Sequence, residues 1–237
     1  SFTIRRINAE LKQTTTYSNG NMRWAHRMMP FPGDGSVAMV GQSTKYPYSV
    51  RDLSISRVSA SGSYTKPVVH SESTTGGRLT IYGGIPQGDG KIVIAGSRTH
   101  SVSGNKVQRG YVARFLANHS LEWAYNETID NSYIKGAAAL SGGGYVAAGE
   151  IDGKLRVVRL DDKGKLVKAR TDDRPGSWHY AGAVAADGNG AVVAGYHVGT
   201  SGSVAILERI DNDGNVIWSR TFPVSGGVTR AARYSPV

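Results

Sequence analysis

Gly88-Asp-Gly-Lys-Ile-Val-Ile-Ala-Gly96, followed by Tyr111-Val-Ala-Arg-Phe115, is the stretch that decides the fold. A glycine turn opens it, a short apolar run follows, and a glycine closes it, as expected of a buried strand entered through a tight turn. The unit recurs as Gly33-Asp-Gly-Ser-Val-Ala-Met-Val-Gly41, Gly142-Gly-Gly-Tyr-Val-Ala-Ala-Gly149 and Gly188-Asn-Gly-Ala-Val-Val-Ala-Gly195. The starts lie 55, 54 and 46 residues apart. A repeat of this length, made of strands and turns, is the mark of radially stacked all-β units.

Two further marks complete the repeat. An alternating strand ending in arginine occurs five times, at Arg6, Arg57, Arg114, Arg159 and Arg209, and each copy leads through a polar turn into another strand. In the last two copies the turn is Asp161-Asp-Lys-Gly164 and Asp211-Asn-Asp-Gly214, where Asp or Asn initiates the turn and Gly takes positive φ. Before each of the four glycine turns, at 22–29, 78–85, 133–140 and 178–185, and again at 228–234, lies a strand, and these strands shrink to small residues at their ends, as in Gly136-Ala-Ala-Ala139 and Gly182-Ala-Val184. Small side chains suit the innermost strand of a blade, where neighbours converge on the axis. The strands are lettered a (innermost), b (glycine-flanked), c (arginine) and d (outermost).

The expected fold is all-β: one domain over 1–237, a five-bladed β-propeller of four-stranded antiparallel blades, with the ring closed by strands from both termini. The chain opens on a c strand at residues 2–7 and stops just after an a strand at 228–234, so the fifth blade lacks a strand b. Unpaired edges at that slot would invite a strand from another chain. A strand-donating partner, a cleaved precursor and a truncated chain are the readings of that gap. The opening Ser-Phe-Thr-Ile-Arg-Arg reads as strand rather than signal peptide, which suits a processed or an intracellular chain.

Bulk composition agrees with this fold. The chain has 237 residues, 39% of them hydrophobic, and 31 glycines, too apolar for disorder and too rich in glycine for a helical bundle. Lys and Arg number 28 against 18 acids, a net charge of +10, which favours acidic partners. The cations are spread through every repeat rather than massed in a run, so a nucleic-acid partner is not expected. The lack of cysteine excludes disulfides, thiolate metal sites and cysteine nucleophiles. No apolar stretch reaches the ~20 residues that span a bilayer. Asn118-His-Ser120 and Asn126-Glu-Thr128 match the glycosylation acceptor pattern, which a chain of this composition also shows by chance.

The stretch over Gly88–Gly96 and Tyr111–Phe115 resembles the delta-sixty family of bacterial propeller repeats, in which a DGKIVVAG-like strand leads to an ALARL-like strand and a DGSLD-like turn. The resemblance covers nearly the whole chain. It departs at Asn118-His-Ser120, which lacks the turn glycine, and at the shortened Asn8-Ala-Glu10. It implies a fold and no catalytic residues, and a secreted or cell-surface setting in bacteria.

Alternating strand direction puts the tight a–b and c–d turns on one face of the disk and the longer b–c and d–a connections on the other. Function concentrates on long connections held by a rigid scaffold, so a binding site is expected on the second face. Its b–c connections, 42–52, 97–110 and 197–203, and d–a connections, 71–77 and 172–177, are read as loops. The candidate ligand-binding residues there are Trp24, Tyr46, Tyr48, Arg98, His100, Arg109, Trp178 and His179. Aromatic rings stack on sugars, and guanidinium groups make charge-assisted hydrogen bonds to phosphates or anionic glycans. The same aromatics also serve as packing between blades, and the histidines as solvated loop residues.

The repeated arginines read as structural, their stems covering apolar surface and their heads reaching a neighbouring carbonyl or solvent. Catalysis finds little support. Only Glu150 and Glu208 lie clearly on strands b or c, whereas a propeller glycosidase needs two or three carboxylates in the central funnel. No Gly-x-Ser-x-Gly, His-Glu-x-x-His or P-loop motif is present. The 211–214 turn reads as a hairpin before a calcium loop, and neither a cofactor nor a metal is expected. The expected function is therefore a non-enzymatic binding module for carbohydrate or another anionic surface ligand, or for a protein on the long-connection face. The alternatives are an assembly subunit that receives a strand from a partner, and a glycosidase.

Overall fold

A computed structural model describes residues 2–7, 13–19, 24–45, 50–65, 67–70, 78–172, 177–199 and 202–223, with side chains over 25–43, 52–65, 67–70, 78–172, 183–197 and 203–223. Strands β1 (Phe2–Ile7) and β2 (Gln13–Asn19) pair as a two-stranded antiparallel sheet. Four antiparallel meanders follow in chain order. The first is β3 (Trp24–Pro30), β4 (Val37–Lys45), β5 (Val50–Val58) and β6 (Val68–His70). The second is β7 (Leu79–Pro86), β8 (Ile92–Val102), β9 (Asn105–Phe115) and β10 (Leu121–Asn126). The third is β11 (Ser132–Ala139), β12 (Tyr145–Ile151), β13 (Lys154–Leu160) and β14 (Leu166–Thr171). The fourth is β15 (Ser177–Ala186), β16 (Gly190–Gly199), β17 (Gly202–Asp211) and β18 (Val216–Pro223). The a, b, c and d strands are thus observed as read in four β-propeller blades. A fifth four-stranded blade is not found among the described residues, and the closing strand expected at 228–234 lies outside them.

Successive blades stack face to face, and the core is the set of these interfaces. Leu53 and Ile55 of blade 1 meet Ile92, Ile94 and Tyr111 of blade 2. Val93 and Val112 of blade 2 meet Ala147 and Val158 of blade 3, and Val146 and Val157 of blade 3 meet Val193 and Ile206 of blade 4. Because b strands bury both faces, β8 is sealed from Ile92 to Ser97 and reads as a continuous apolar run. The inner strands β3, β7, β11 and β15 neighbour one another in that order around the axis. A side chain at Gly83 would come within 2.7 Å of the Lys135 carbonyl, and β7, β11 and β15 carry the small residues Gly83, Gly136 and Ala183 at this position.

All four inner strands bulge at one register position. Ala25 and Arg27 pair with Gly41 and Val40, so His26 is the extra residue. Tyr82, Lys135 and Gly182 are the extra residues opposite Gly96, Gly149 and Gly195. The repeat's closing glycine is required because the bulged strand presses on it. A Cβ on Gly149 would run into the Tyr133 carbonyl and sit 2.7 Å from the Ile134 Cα.

The turn that lacks glycine keeps the geometry of the others. His119 donates its backbone N–H to the Leu116 carbonyl at 2.8 Å, as Gly164 does to Asp161 and Gly214 to Asp211. It takes φ +67°, a left-handed value that Asn, Asp and His tolerate better than most residues. The b–c connections differ from the loops expected of them. They are continuations of the strands, paired out to Lys45↔Val50, Val102↔Asn105 and Gly199↔Gly202. The reason is local: alternating polar residues pair as readily as apolar ones when the tip can reverse. At Ser103 and Gly104 it does so with φ of 50° and 82°, a tight hairpin turn.

The described c-strand arginines are structural. Arg159 donates to the Asn212 carbonyl of blade 4 at 2.7 Å and to the Gly143 carbonyl of its own a–b turn at 2.8 Å. Arg114 forks onto Glu122 at 2.6 and 2.8 Å and reaches the Tyr145 hydroxyl of blade 3 at 2.9 Å. Arg57 lies over Phe31 at 3.9 Å and donates to Ser36 at 2.7 Å, while Arg209 pairs with Asp187.

Candidate functional site

The β8–β9 ribbon builds the candidate site. Each strand is 11 residues long, and the outer halves run beyond the part packed between blades, so burial falls from Val93 to the exposed tip at Ser101–Lys106. In the ladder, Arg98 stands directly opposite Arg109, and His100 opposite Val107. Residues two apart share a face of a strand, so Arg98, His100 and Arg109 present their side chains together. Two like charges directly across a ladder destabilise it. Among the described residues Asp130, in the connection at 127–131, accepts from Arg109 Nε at 2.7 Å. Burial, then Arg98 and Arg109, push the His100 imidazole below its ordinary value, with Asp130 acting weakly the other way. His100 Nε2 is buried and has no hydrogen-bond partner.

The opposite face of the ribbon anchors it. Thr99 donates its backbone N–H at 2.9 Å and its hydroxyl at 3.1 Å to the Arg78 carbonyl. Gln108 Nε2 donates to Thr99 Oγ1 at 2.7 Å and receives the Ser97 hydroxyl on Oε1 at 3.1 Å. The arginine pair therefore rides on a ribbon with a fixed base.

Of the eight candidate residues, the structure brings Arg98, His100 and Arg109 onto one surface. Trp24 begins β3, and Trp178 and His179 lie in β15, at the same end of the inner strands; their side chains lie outside the described residues. Tyr46 and Tyr48 fall wholly outside them. Sequence reading passed over Asp130, and also a second cluster at the bulges. There Lys135 Nζ lies 4.0 Å from the Tyr82 ring centre, 4.8 Å from that of Tyr133 and 3.7 Å from Glu150 Oε1. Arg27 Nε donates to the Tyr82 carbonyl at 2.8 Å, and burial raises the Tyr82 phenol above its ordinary value. The closing glycine of each repeat was the signal that could have located this cluster, since it marks where the inner strand bulges and re-aims a side chain.

The other candidates resolve plainly. Glu208 pairs with Arg170 across blades 3 and 4, and Ser219 donates to it at 3.2 Å. Asp211 accepts the backbone N–H groups of Asp213 at 3.0 Å and Asn215 at 2.7 Å, which makes the 211–215 segment an ordinary hairpin turn. The Asn215 hydrogen bonds hold the Asp211 carboxyl below its ordinary range. Among the described residues, no group of three or more His, Asp or Glu side chains converges on a metal-sized site, and no helix is long and apolar enough to cross a membrane.

No protein-family model matches the sequence, and no curated protein is similar to it in sequence. In three dimensions the chain is similar to the β-propeller domain of the Trilobed protease from Pyrococcus furiosus, with a TM-score of 0.46 and 12% identity over 89% of this chain and 59% of that one. It is also similar to hydrazine synthase from Kuenenia stuttgartiensis (TM-score 0.44, 10% identity, 88% of this chain and 68% of that one). A third similar structure is the Pyrococcus horikoshii acylaminoacyl peptidase (TM-score 0.43, 14% identity, 84% of this chain and 33% of that one). The chain spans about three-fifths of the Trilobed protease's β-propeller domain chain and one third of the peptidase chain.

Proposed function

We propose that this chain is a non-enzymatic recognition module that binds an anionic ligand, a charged glycan in particular, on the face carrying the β8–β9 ribbon. The observation that carries the reading is Arg98 directly opposite Arg109 on a ribbon anchored at its base. An anion between the two guanidinium forks gains charge-assisted hydrogen bonds from both and lessens the repulsion of like charges across the ladder. Support also comes from the strand carboxylates, since Glu150 and Glu208 are both engaged by cations, Lys135 and Arg170.

The test must separate this site from the general charge of +10. The variant Arg98→Ala/Arg109→Ala is expected to elute from a heparin column at clearly lower salt than the parent. A charge-matched control, Lys163→Ala/Lys165→Ala in the exposed c–d turn of blade 3, should elute close to the parent. Equal shifts for the two double variants would sink the proposal.

We propose in addition that β1 and β2 are the outer strands of a fifth blade and residues 228–234 its inner strand. The support is the outward face of blade 4. Its rows Ala185, Val192, Arg209, Trp218 and Ala183, Ala194, Leu207, Arg220 match Ala138, Val146, Arg159, Lys168 and Gly136, Ala148, Val157, Arg170 in blade 3. Blade 4 buries the blade 3 rows, with Val146 at 0% and Val157 at 5% exposure, and a comparable apolar face needs a comparable cover. Leu207→Asp should then destabilise the protein by about 2 kcal/mol in denaturant unfolding. A change within about 0.5 kcal/mol, normal for an open surface, would show that nothing covers this face.

A further inference from the structure

The arginine pair has a third member that a purely electrostatic anion site does not need. His100 lies two residues beyond Arg98 on the same face of β8, diagonal to Arg109 on β9. Its Nε2 is buried without a hydrogen-bond partner, and a buried polar atom left unpaired calls for an explanation such as a missing ligand. Among the described residues the charged groups that face it are Arg98 from β8, Arg109 from β9 and Asp130 from the 127–131 connection.

We propose that Arg98, Arg109 and His100 form a three-donor site for the tetrahedral oxyanion of a sulfate ester, as on a sulfated glycan, and that His100 gates it by taking up a proton when the anion binds. This rests on the anionic-ligand reading above and adds the ligand class and its regulation. Two planar forks and one imidazolium supply donors from three directions, which suits an anion with three free oxygens better than a two-oxygen carboxylate. Neutral His100 has only one ring N–H, so it meets the anion with at best one donor and no charge; protonated, both nitrogens donate.

The sign of the coupling follows from the same charges. Without ligand, burial and the two arginines disfavour the imidazolium. The single negative charge of a bound sulfate ester offsets part of the guanidinium charge beside His100, so the proton is held more tightly in the complex than in the free protein. Affinity must then rise as pH falls from 8, and level off once His100 is protonated in the free protein as well. A sulfate ester keeps its charge over this whole range, so any pH dependence belongs to the protein.

The experiment is isothermal titration of the full chain with a fully sulfated heparin hexasaccharide, and separately with sodium sulfate, at pH 5.5 and 7.5 and constant ionic strength. Buffers of different ionisation heat report proton uptake, and circular dichroism at each pH confirms the fold. The expected result is binding of the hexasaccharide about tenfold tighter at pH 5.5, with uptake of up to one proton. His100→Gln should bind with an affinity that no longer depends on pH, and Arg98→Ala/Arg109→Ala should lose binding at both values. The same pH dependence in His100→Gln as in the parent overturns the gate and leaves the anion site standing. Sodium sulfate bound as tightly as the hexasaccharide overturns the glycan assignment in favour of a free anion. Absence of binding to either probe overturns this proposal together with the reading on which it rests.

Discussion

Gly149→Ala is expected to cost about 3–5 kcal/mol, the upper range for a single substitution, and to lower the melting temperature by about 10 °C. The added methyl would enter the carbonyl oxygen of Tyr133, and the Ile134 Cα stands only 2.7 Å away. Neither obstacle is a side-chain tip that could swing aside. Both belong to the bulged inner strand β11, held between β7 and β15 around the axis. Relief would require the Ile134–Gly136 bulge to move, and with it Lys135, so the Tyr82–Lys135–Tyr133 cluster should be lost along with stability. Gly188→Ala serves as the contrast. A Cβ there meets nothing within 4 Å, and the cost comes from its φ of +85° alone. Differential scanning calorimetry of the two variants checks the prediction; equal shifts would mean that steric contact with the bulge is not what the closing glycine avoids.

The second large effect is expected at the interface between blades 2 and 3. Glu127 and Arg156 form a two-point ion pair, at 2.8 Å and 3.3 Å, and Thr171 accepts a third hydrogen bond from Arg156 at 3.1 Å. The side chains are 2% and 11% exposed, so removing one partner strands the other's charge away from water. Arg156→Ala should therefore destabilise the protein by about 3–5 kcal/mol, whereas Glu127→Leu/Arg156→Met, which removes both charges, should recover most of the loss. The neighbouring Tyr125 feels the same environment: burial first, then the Glu127 carboxylate, push its phenol well above the ordinary value. Chemical denaturation of the single and double variants gives the coupling directly. A double variant no more stable than Arg156→Ala would show that the pair contributes more than the avoidance of a stranded charge.

What was legible in the sequence was what depends on near neighbours. Asp-Gly and Gly-rich turns reverse the chain wherever they stand, and alternation or continuous apolar runs make strands between them, so the sixteen strands of the four blades could be placed from their order alone. Even the turn without glycine obeyed this logic, because the hairpin demands one left-handed residue and His119 can supply it. The repeated arginines were legible for the same reason, since a residue that recurs in every unit answers to the unit. The long b–c segments were misread as loops, because polar alternation in a free ribbon resembles loop composition until the partner strand is known.

The candidate site depended on distant partners. Arg98 and Arg109 stand eleven positions apart in the chain, and only the register of β8 on β9 makes them opposite; a slip of one residue would send them to different faces. Asp130 reaches Arg109 because a d–a connection happens to close over the ribbon, and Glu127 meets Arg156 because two blades stack. The sequence by itself determined the unit, its order of strands and its turns, since these follow from local backbone preferences repeated along the chain. Which charges meet, which glycine faces a bulge and which imidazole is left without a partner were decided only by tertiary structure, where pairing register and blade stacking bring together residues that no local pattern relates.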